Sequence, residues 1–259
     1  MLPINKNCFV LIIIIFVSIS CNSNKDTTAI PEKSNQLVLV VSDSTSATKA
    51  KLFTFERNNN TNWKLHSNNT PVVLGRNGLG LGKGLHKQSE LVGIPEKIEG
   101  DGRSPAGIFK LSSVFGYLPK EKFQNLKMPY IQISKLVECV DDPNSKYYNR
   151  FLSRDTVSNP KEIDWTSSEK MSDGGIYYEL GVIVVHNCCP KSNASGSCIF
   201  LHNWADSNET TAGCTAMEPS KMREIILWLD ETKNPILVQL PHKAYIDNLD
   251  LWKLPLLDY

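Results

Sequence analysis

Short apolar runs set between turn-forming residues are the feature of this chain that most limits its fold. Leu37-Val38-Leu39-Val40-Val41, Lys51 to Arg57, Trp63 to His66, Pro71 to Leu74, Ala106 to Leu111, Pro129 to Leu136, Tyr177 to Asn187, Ile199 to His202 and Ile236 to Leu240 are rich in apolar, β-branched or aromatic residues. Runs of this length and make-up suit strands better than helices. Helical spacing is clear in one place. Met222, Ile225, Ile226 and Leu229 recur at i, i+3, i+4 and i+7, and Pro219 suits the first helical position, so a helix is expected from there to near Asp230. Thr166-Ser167-Ser168-Glu169 matches a capping box and predicts a second, short helix. About nine strands against two helices predict one mainly β domain with a sandwich or barrel-like core. No internal repeat is present.

The chemistry concentrates between Ile199 and Met217. The apolar run Ile199-Phe200-Leu201 reads as a buried strand that ends on His202-Asn203-Trp204, and Thr210-Thr211-Ala212-Gly213-Cys214-Thr215-Ala216-Met217 follows after a polar loop. A thiol acts as a nucleophile when it is a thiolate, and an imidazole can take its proton. Gly213 lets the backbone turn sharply and approach a substrate closely. The amides around such a turn can hold an oxyanion. A single cysteine is more often a small buried hydrophobe, and a single histidine a hydrogen-bonded structural residue. The polar, glycine-containing loop around Cys214 is what distinguishes it from an inert core thiol.

His202 followed by Thr211-Ala212-Gly213-Cys214 resembles the active-site signature of the L,D-transpeptidase (YkuD-type) family of bacterial cell-wall enzymes. The chain departs from the common pattern at Ala212, where a second histidine is usual, and is similar to a Gram-negative branch carrying Gly-Cys-Thr-Ala-Met. Gly100-Asp101-Gly102-Arg103-Ser104-Pro105-Ala106-Gly107-Ile108-Phe109, Cys139-Val140-Asp141-Asp142-Pro143 with Tyr148-Asn149, and Gly196-Ser197-Cys198 extend the resemblance over roughly Gln36 to Tyr245. It implies a mainly β catalytic domain, with one helix directly after the cysteine loop, acting on peptidoglycan stem peptides without a cofactor. Cys214 is then the nucleophile and His202 the base. Gly213 is expected at the oxyanion site, with Asn203 orienting the imidazole, and Thr211 and Trp204 touching substrate. Transfer to an amine, hydrolysis on the same site, and an inert wall-binding lipoprotein remain open at this point.

The N-terminus sets the compartment. Lys6 precedes an apolar run from Cys8 to Val17, too short for an ordinary membrane span, and Ser18 and Ser20 lead to Cys21. Residues 1–21 resemble a bacterial lipoprotein signal, with Cys21 as the lipidated residue; an ordinary secretory signal is the alternative, and either exports the protein. Residues 22–35 are polar and read as a tether, and residues 36–259 as the catalytic domain. A periplasmic, membrane-anchored protein is expected. The formal net charge of +1 and the lack of a long basic run argue against nucleic acid as a partner.

Of seven cysteines, Cys8 leaves with the signal, Cys21 carries lipid and Cys214 must stay reduced. Cys139, Cys188, Cys189 and Cys198 remain for one or two disulfides in an oxidising compartment. Cys139 with Cys198 is preferred because both lie in family-like segments. Cys188, Cys189, Cys198, His202 and Cys214 are also zinc-ligand types, but their spacing fits no zinc motif, and no metal is expected. The loop Gly75 to Gly84 lacks the Gly-Lys-Ser/Thr ending of a phosphate cradle and reads as turns. His186 and Arg103 are secondary candidates, for the cleft and for a carboxylate contact respectively, with structural roles favoured for both.

Overall fold

The computed structural model describes residues 30–257 except 60, 158 and 189–193. Residues 1–21 with Cys21, most of the proposed tether and Cys189 therefore lie outside the described residues. Ile30 to Asn35 run along the domain: Ile30 is buried, and the carbonyls of Pro31 and Ser34 accept hydrogen bonds from the Arg57 guanidinium at 2.9 and 2.7 Å.

The elements in chain order are β1 (Gln36–Ser42), β2 (Lys49–Glu56), β3 (Lys64–Val73), β4 (Leu79–Leu81), β5 (Ser104–Gly116), β6 (Tyr130–Gln132), β7 (Val137–Val140), β8 (Arg150–Ser153), β9 (Glu169–Lys170), β10 (Leu180–Val185), β11 (Phe200–Asn203), β12 (Thr215–Met217), α1 (Pro219–Trp228), β13 (Ile236–Pro241) and α2 (His242–Asp247). Following the pairing β10-β11-β12-β3-β2-β1-β13-β5 and back to β10 closes an eight-stranded mixed barrel. Closure gives each of the eight ring strands a partner on both sides, where an open sheet would leave its two outer edges exposed. β1–β13 and β11–β12 are parallel; the other pairs of the ring are antiparallel.

β1 is buried at all seven positions. One face looks into the barrel, and α2 packs on β1 and β13 outside. This is why its sequence is continuously apolar instead of alternating. Its polar first residue is satisfied in place: Gln36 donates to the Trp228 carbonyl at 2.8 Å and accepts from the Asp230 amide at 2.8 Å. α1 lies against β10 and β11 through Met222, Ile225 and Ile226, the face the sequence spacing marks.

A second, three-stranded antiparallel sheet, β8-β7-β9, is inserted between β6 and β10. Glu138 anchors it: buried, it accepts from Arg154 Nε at 2.6 Å, Trp165 Nε1 at 2.8 Å and Ser168 Oγ at 2.8 Å, so its charge has partners where burial alone would penalise it. The Cys139–Cys198 disulfide, Cα–Cα 5.9 Å, ties this sheet to the approach to β11.

The helix expected at Thr166 is absent. A capping box needs the Thr166 amide to bond Glu169, but that amide and the Thr166 hydroxyl both donate to Asp142 Oδ2 at 2.8 Å, and Glu169 opens β9. Tertiary partners outcompete the local motif. The second helix is α2, after Pro241. Trp63 to His66 and Pro71 to Leu74 join into the single strand β3, and the Gly75–Gly84 loop holds the short β4, parallel to β5. Tyr177 and Tyr178 lie in a 3-10 turn, Gly175–Tyr178, with β10 starting only at Leu180.

Candidate active site

β11 carries Phe200 and His202 on one face, since successive strand side chains alternate. β12 runs beside it in parallel, pairing Leu201 with Thr215 and His202 with Ala216. Cys214, one residue before β12, therefore sits alongside Phe200, whose amide donates to its Sγ at 3.3 Å. In the resting arrangement the thiol lies 3.5 Å from the Cys198 carbonyl. His202 and Cys214 line one cavity of about 850 Å³. Another groove, about 690 Å³ between β2 and the C-terminal segment, is lined by no cysteine or histidine.

The His202 Nδ1 lies 2.6 Å from the Asn203 backbone carbonyl. A carbonyl can only accept, so Nδ1 carries the proton and Nε2 of the neutral ring is left as the acceptor. Burial holds the His202 pKa down at about 4, partly offset by that bond, so the ring is neutral at neutral pH. Burial pushes the Cys214 thiol well above its usual range, and the Glu169 carboxylate adds to this, while the Phe200 amide and Lys97 oppose it. The resting pair is therefore thiol and imidazole, not an ion pair.

The cysteine loop is pinned from two sides. Thr211 Oγ1 accepts from the Gly213 amide at 3.1 Å and donates to the Cys214 carbonyl at 2.6 Å. Ser104 Oγ donates to the same carbonyl at 2.7 Å and accepts from the Gly75 amide at 2.8 Å. The Gly213 amide, expected at the oxyanion site, is thus engaged with Thr211 in the resting structure. A Cβ at position 213 would stand 3.1 Å from the Arg103 carbonyl. The Asp-Gly-Arg-Ser turn is built around Asp101, which accepts from Lys97 Nζ at 2.8 Å and from the amides of Ile98 and Arg103 at 2.9 Å.

Thr211 and Trp204 both line the cavity. Asn203 meets His202 through its backbone, and its side-chain amide donates to the Ile176 carbonyl at 3.1 Å. His186 does not line the cavity: it accepts from the Lys83 amide at 3.2 Å and bonds the Ser195 carbonyl at 2.8 Å, a structural role. Arg103 braces the loop before β4 by donating to the carbonyls of Asn77 and Leu79 at 2.7 and 3.0 Å. Cys198, in a disulfide, offers no thiolate to a metal. Among the described residues, no group of three His, Cys, Asp or Glu side chains is placed to hold a metal ion.

Several cavity residues escape the sequence reading. Glu99, Asp141 and Glu169 line it together with Arg76, Lys97, Tyr177 and Tyr178. Glu99 accepts from Ser197 Oγ at 2.8 Å and from the Tyr148 hydroxyl. The Tyr178 hydroxyl donates to Glu169, and the rings of Tyr178 and Tyr177 stand edge-on to His202 with centroids 5.7 and 6.3 Å away. Asp141 and Tyr148 fall in the family-like segments, which marked them as a pattern without a role. Glu169, Tyr177 and Tyr178 carry no site signal in the sequence, where they read as parts of a helix start and a strand.

Residues 37–238 match the sequence model of the YkuD family, the L,D-transpeptidase catalytic domain. A search of curated proteins found no match for the chain.

Proposed function

Since the chain belongs to the YkuD family of L,D-transpeptidase catalytic domains, we propose that it is a cysteine-dependent acyltransferase acting on peptidoglycan stem peptides. The observation that carries this reading is the shared cavity of Cys214 and His202, with His202 Nδ1 committed to the Asn203 carbonyl so that Nε2 remains to accept a proton.

In the proposed reaction a tetrapeptide stem enters the cavity as donor. His202 Nε2 takes the Cys214 proton as the sulfur attacks the carbonyl carbon between the third residue and the terminal D-alanine. The Cys214 amide holds the oxyanion, and the Gly213 amide joins by exchanging its Thr211 partner. The C–N bond breaks, the imidazolium returns the proton to the departing amine, and a thioester remains on Cys214. An acceptor amine then attacks the thioester and gives its proton to His202, which restores the thiol; water in place of the amine gives hydrolysis. Starting from a neutral pair leaves no charge in the buried site at rest, and the loop amides stabilise the negative charge as it develops on the substrate carbonyl. The reading also includes export and anchoring to the membrane through lipid on Cys21, which would keep the domain in the periplasm beside its polymer.

Incubation with defined muropeptides followed by mass spectrometry tests the reading. Loss of terminal D-alanine with formation of a cross-linked or amine-exchanged product is expected, and should vanish in Cys214→Ala. Product formation that is undiminished in Cys214→Ala would remove the mechanism.

A further inference from the structure

The disulfide-tied sheet contributes to the site, although neither the cysteine motif nor the histidine lies in it. Glu169 on β9 pairs directly with Cys139 on β7, and Cys139 is bonded to Cys198, whose carbonyl contacts the Cys214 thiol. This route sets Glu169 at the cavity wall. There its carboxylate accepts from the Tyr178 hydroxyl. The Tyr178 ring packs edge-on against Phe115, Phe200 and His202, with centroids 6.0, 5.7 and 5.7 Å apart. It also lies tight on Gly174, where a Cβ would come within 2.1 Å of the ring. The turn bearing Tyr178 is bound to β11 by the Asn203 amide and to the loop before Cys214 by the Tyr177–Glu209 bond of 2.7 Å. Tyr178 is therefore a wedge held on several sides, with Glu169 at its polar end, the imidazole at its flank and one side open to the cavity.

We propose that Glu169 is a positioning residue for His202, acting through the Tyr178 hydroxyl and held in register by the Cys139–Cys198 disulfide. The proposal rests on the reading of His202 as the base. Its physical content is that a half-buried phenol packed among rings is oriented by its hydrogen-bond partner, and that partner fixes the ring that flanks the imidazole. Burial and the neighbouring charges of Asp141 and Glu99 raise the Glu169 pKa to about 7, against the Tyr178 bond, so its charge changes near neutrality. The groups facing it are Tyr178, Asp141, Glu99 and Cys214, with Lys97 across the cavity.

The test compares Glu169→Ala, Glu169→Gln and Tyr178→Phe in the full chain. Turnover of a defined disaccharide-tetrapeptide gives kcat and KM, and iodoacetamide labelling, read at the Cys214 peptide by mass spectrometry, gives the thiol's pH profile. Misplacing a reacting group by about 1 Å costs about 100-fold, so Glu169→Ala and Tyr178→Phe should lower kcat by about 10- to 100-fold while KM moves less than about 3-fold. Glu169→Gln still accepts from Tyr178 and should restore most of kcat. Because it removes a negative charge beside the thiol, it should also speed Cys214 labelling above neutral pH by about 3-fold or more. The profile reports the charge beside the thiol, and the recovery of kcat in Glu169→Gln but not in Glu169→Ala, with KM little changed, is what a purely structural residue would not give. Wild-type kcat in Glu169→Ala or Tyr178→Phe overturns the proposal, as does a loss confined to KM, which would make Glu169 a substrate contact. If Glu169→Ala does not fold, Tyr178→Phe and the Gln profile decide. Wild-type turnover in His202→Ala would mean instead that the base reading has failed.

Discussion

The Ser104 hydroxyl donates to the Cys214 carbonyl across 110 residues of sequence, at 2.7 Å. It is buried and also accepts from the Gly75 amide, so one small side chain joins the β5 turn, the β4 loop and the cysteine loop. Ser104→Ala takes the hydroxyl partner from the buried Gly75 amide and leaves the Cys214 carbonyl with Thr211 alone. Such a loss costs about 1–3 kcal/mol, and the thermal midpoint should fall by roughly 2–12 °C. Differential scanning calorimetry measures this. An unchanged midpoint would show that water replaces the hydroxyl.

Cys214 and His202 should separate by experiment into nucleophile and base. Cys214→Ser should give no acyl-enzyme with a carbapenem in intact-protein mass spectrometry, because a hydroxyl ionises far less readily than a thiol. His202→Ala should still be acylated, slower by about 10²- to 10⁴-fold, the usual range for removing a general base. Equal rates for His202→Ala and wild type would reassign the base.

Acid should destabilise the domain through its buried imidazoles. His86, His186 and His202 each have a pKa held at about 4, with burial the first cause. Their folded values lie below the unfolded value of about 6.5, so between these limits the unfolded chain binds more protons and stability falls as pH falls. Glu169 works the other way: its raised folded value, about 7, means the folded state holds the extra proton between there and about 4.5. At about pH 5.5 these four groups together predict a net uptake of about two protons on unfolding, three imidazoles less one carboxyl. Denaturant unfolding at closely spaced pH values gives that number from the slope; stability that is flat or rising from pH 6.5 to 5 would contradict the burial of these rings.

Cys139 and Cys198 are 59 residues apart in sequence. Closing a loop of that size constrains the unfolded chain by about 4 kcal/mol on the chain-entropy account. A Cys139→Ser, Cys198→Ser double variant should lose about 2–4 kcal/mol in denaturant unfolding. Wild-type protein treated with reductant should approach the same value.

Lipid on Cys21 is expected from the sequence of residues 1–21. Metabolic labelling with a fatty acid should mark the wild-type chain and fail on Cys21→Ala. Label retained by that variant would reject the anchor and leave a secretory signal.

By itself the sequence determined what short-range rules can carry. Leu37–Val41 is continuously apolar because it is covered on both faces, and the run is legible without knowing what covers it. Met222, Ile225, Ile226 and Leu229 declare the buried face of α1 by spacing alone. His202 and Gly213-Cys214 are legible as candidates because they fall in one strand, one loop and the next strand, where a family pattern can be recognised. The tertiary structure alone decided the rest. Thr166 to Glu169 satisfies the local rule for a helix start, yet Asp142 takes the Thr166 amide and Tyr178 takes the Glu169 carboxylate, partners that exist only once the chain has folded. The Ser104 bond to Cys214 and the route from Glu169 through the disulfide to the cavity span long loops, so no local periodicity records them. Strand and helix patterns report which side of a segment is buried; which residue stands opposite is set by barrel closure and register, and that is where the environment of Cys214 was settled.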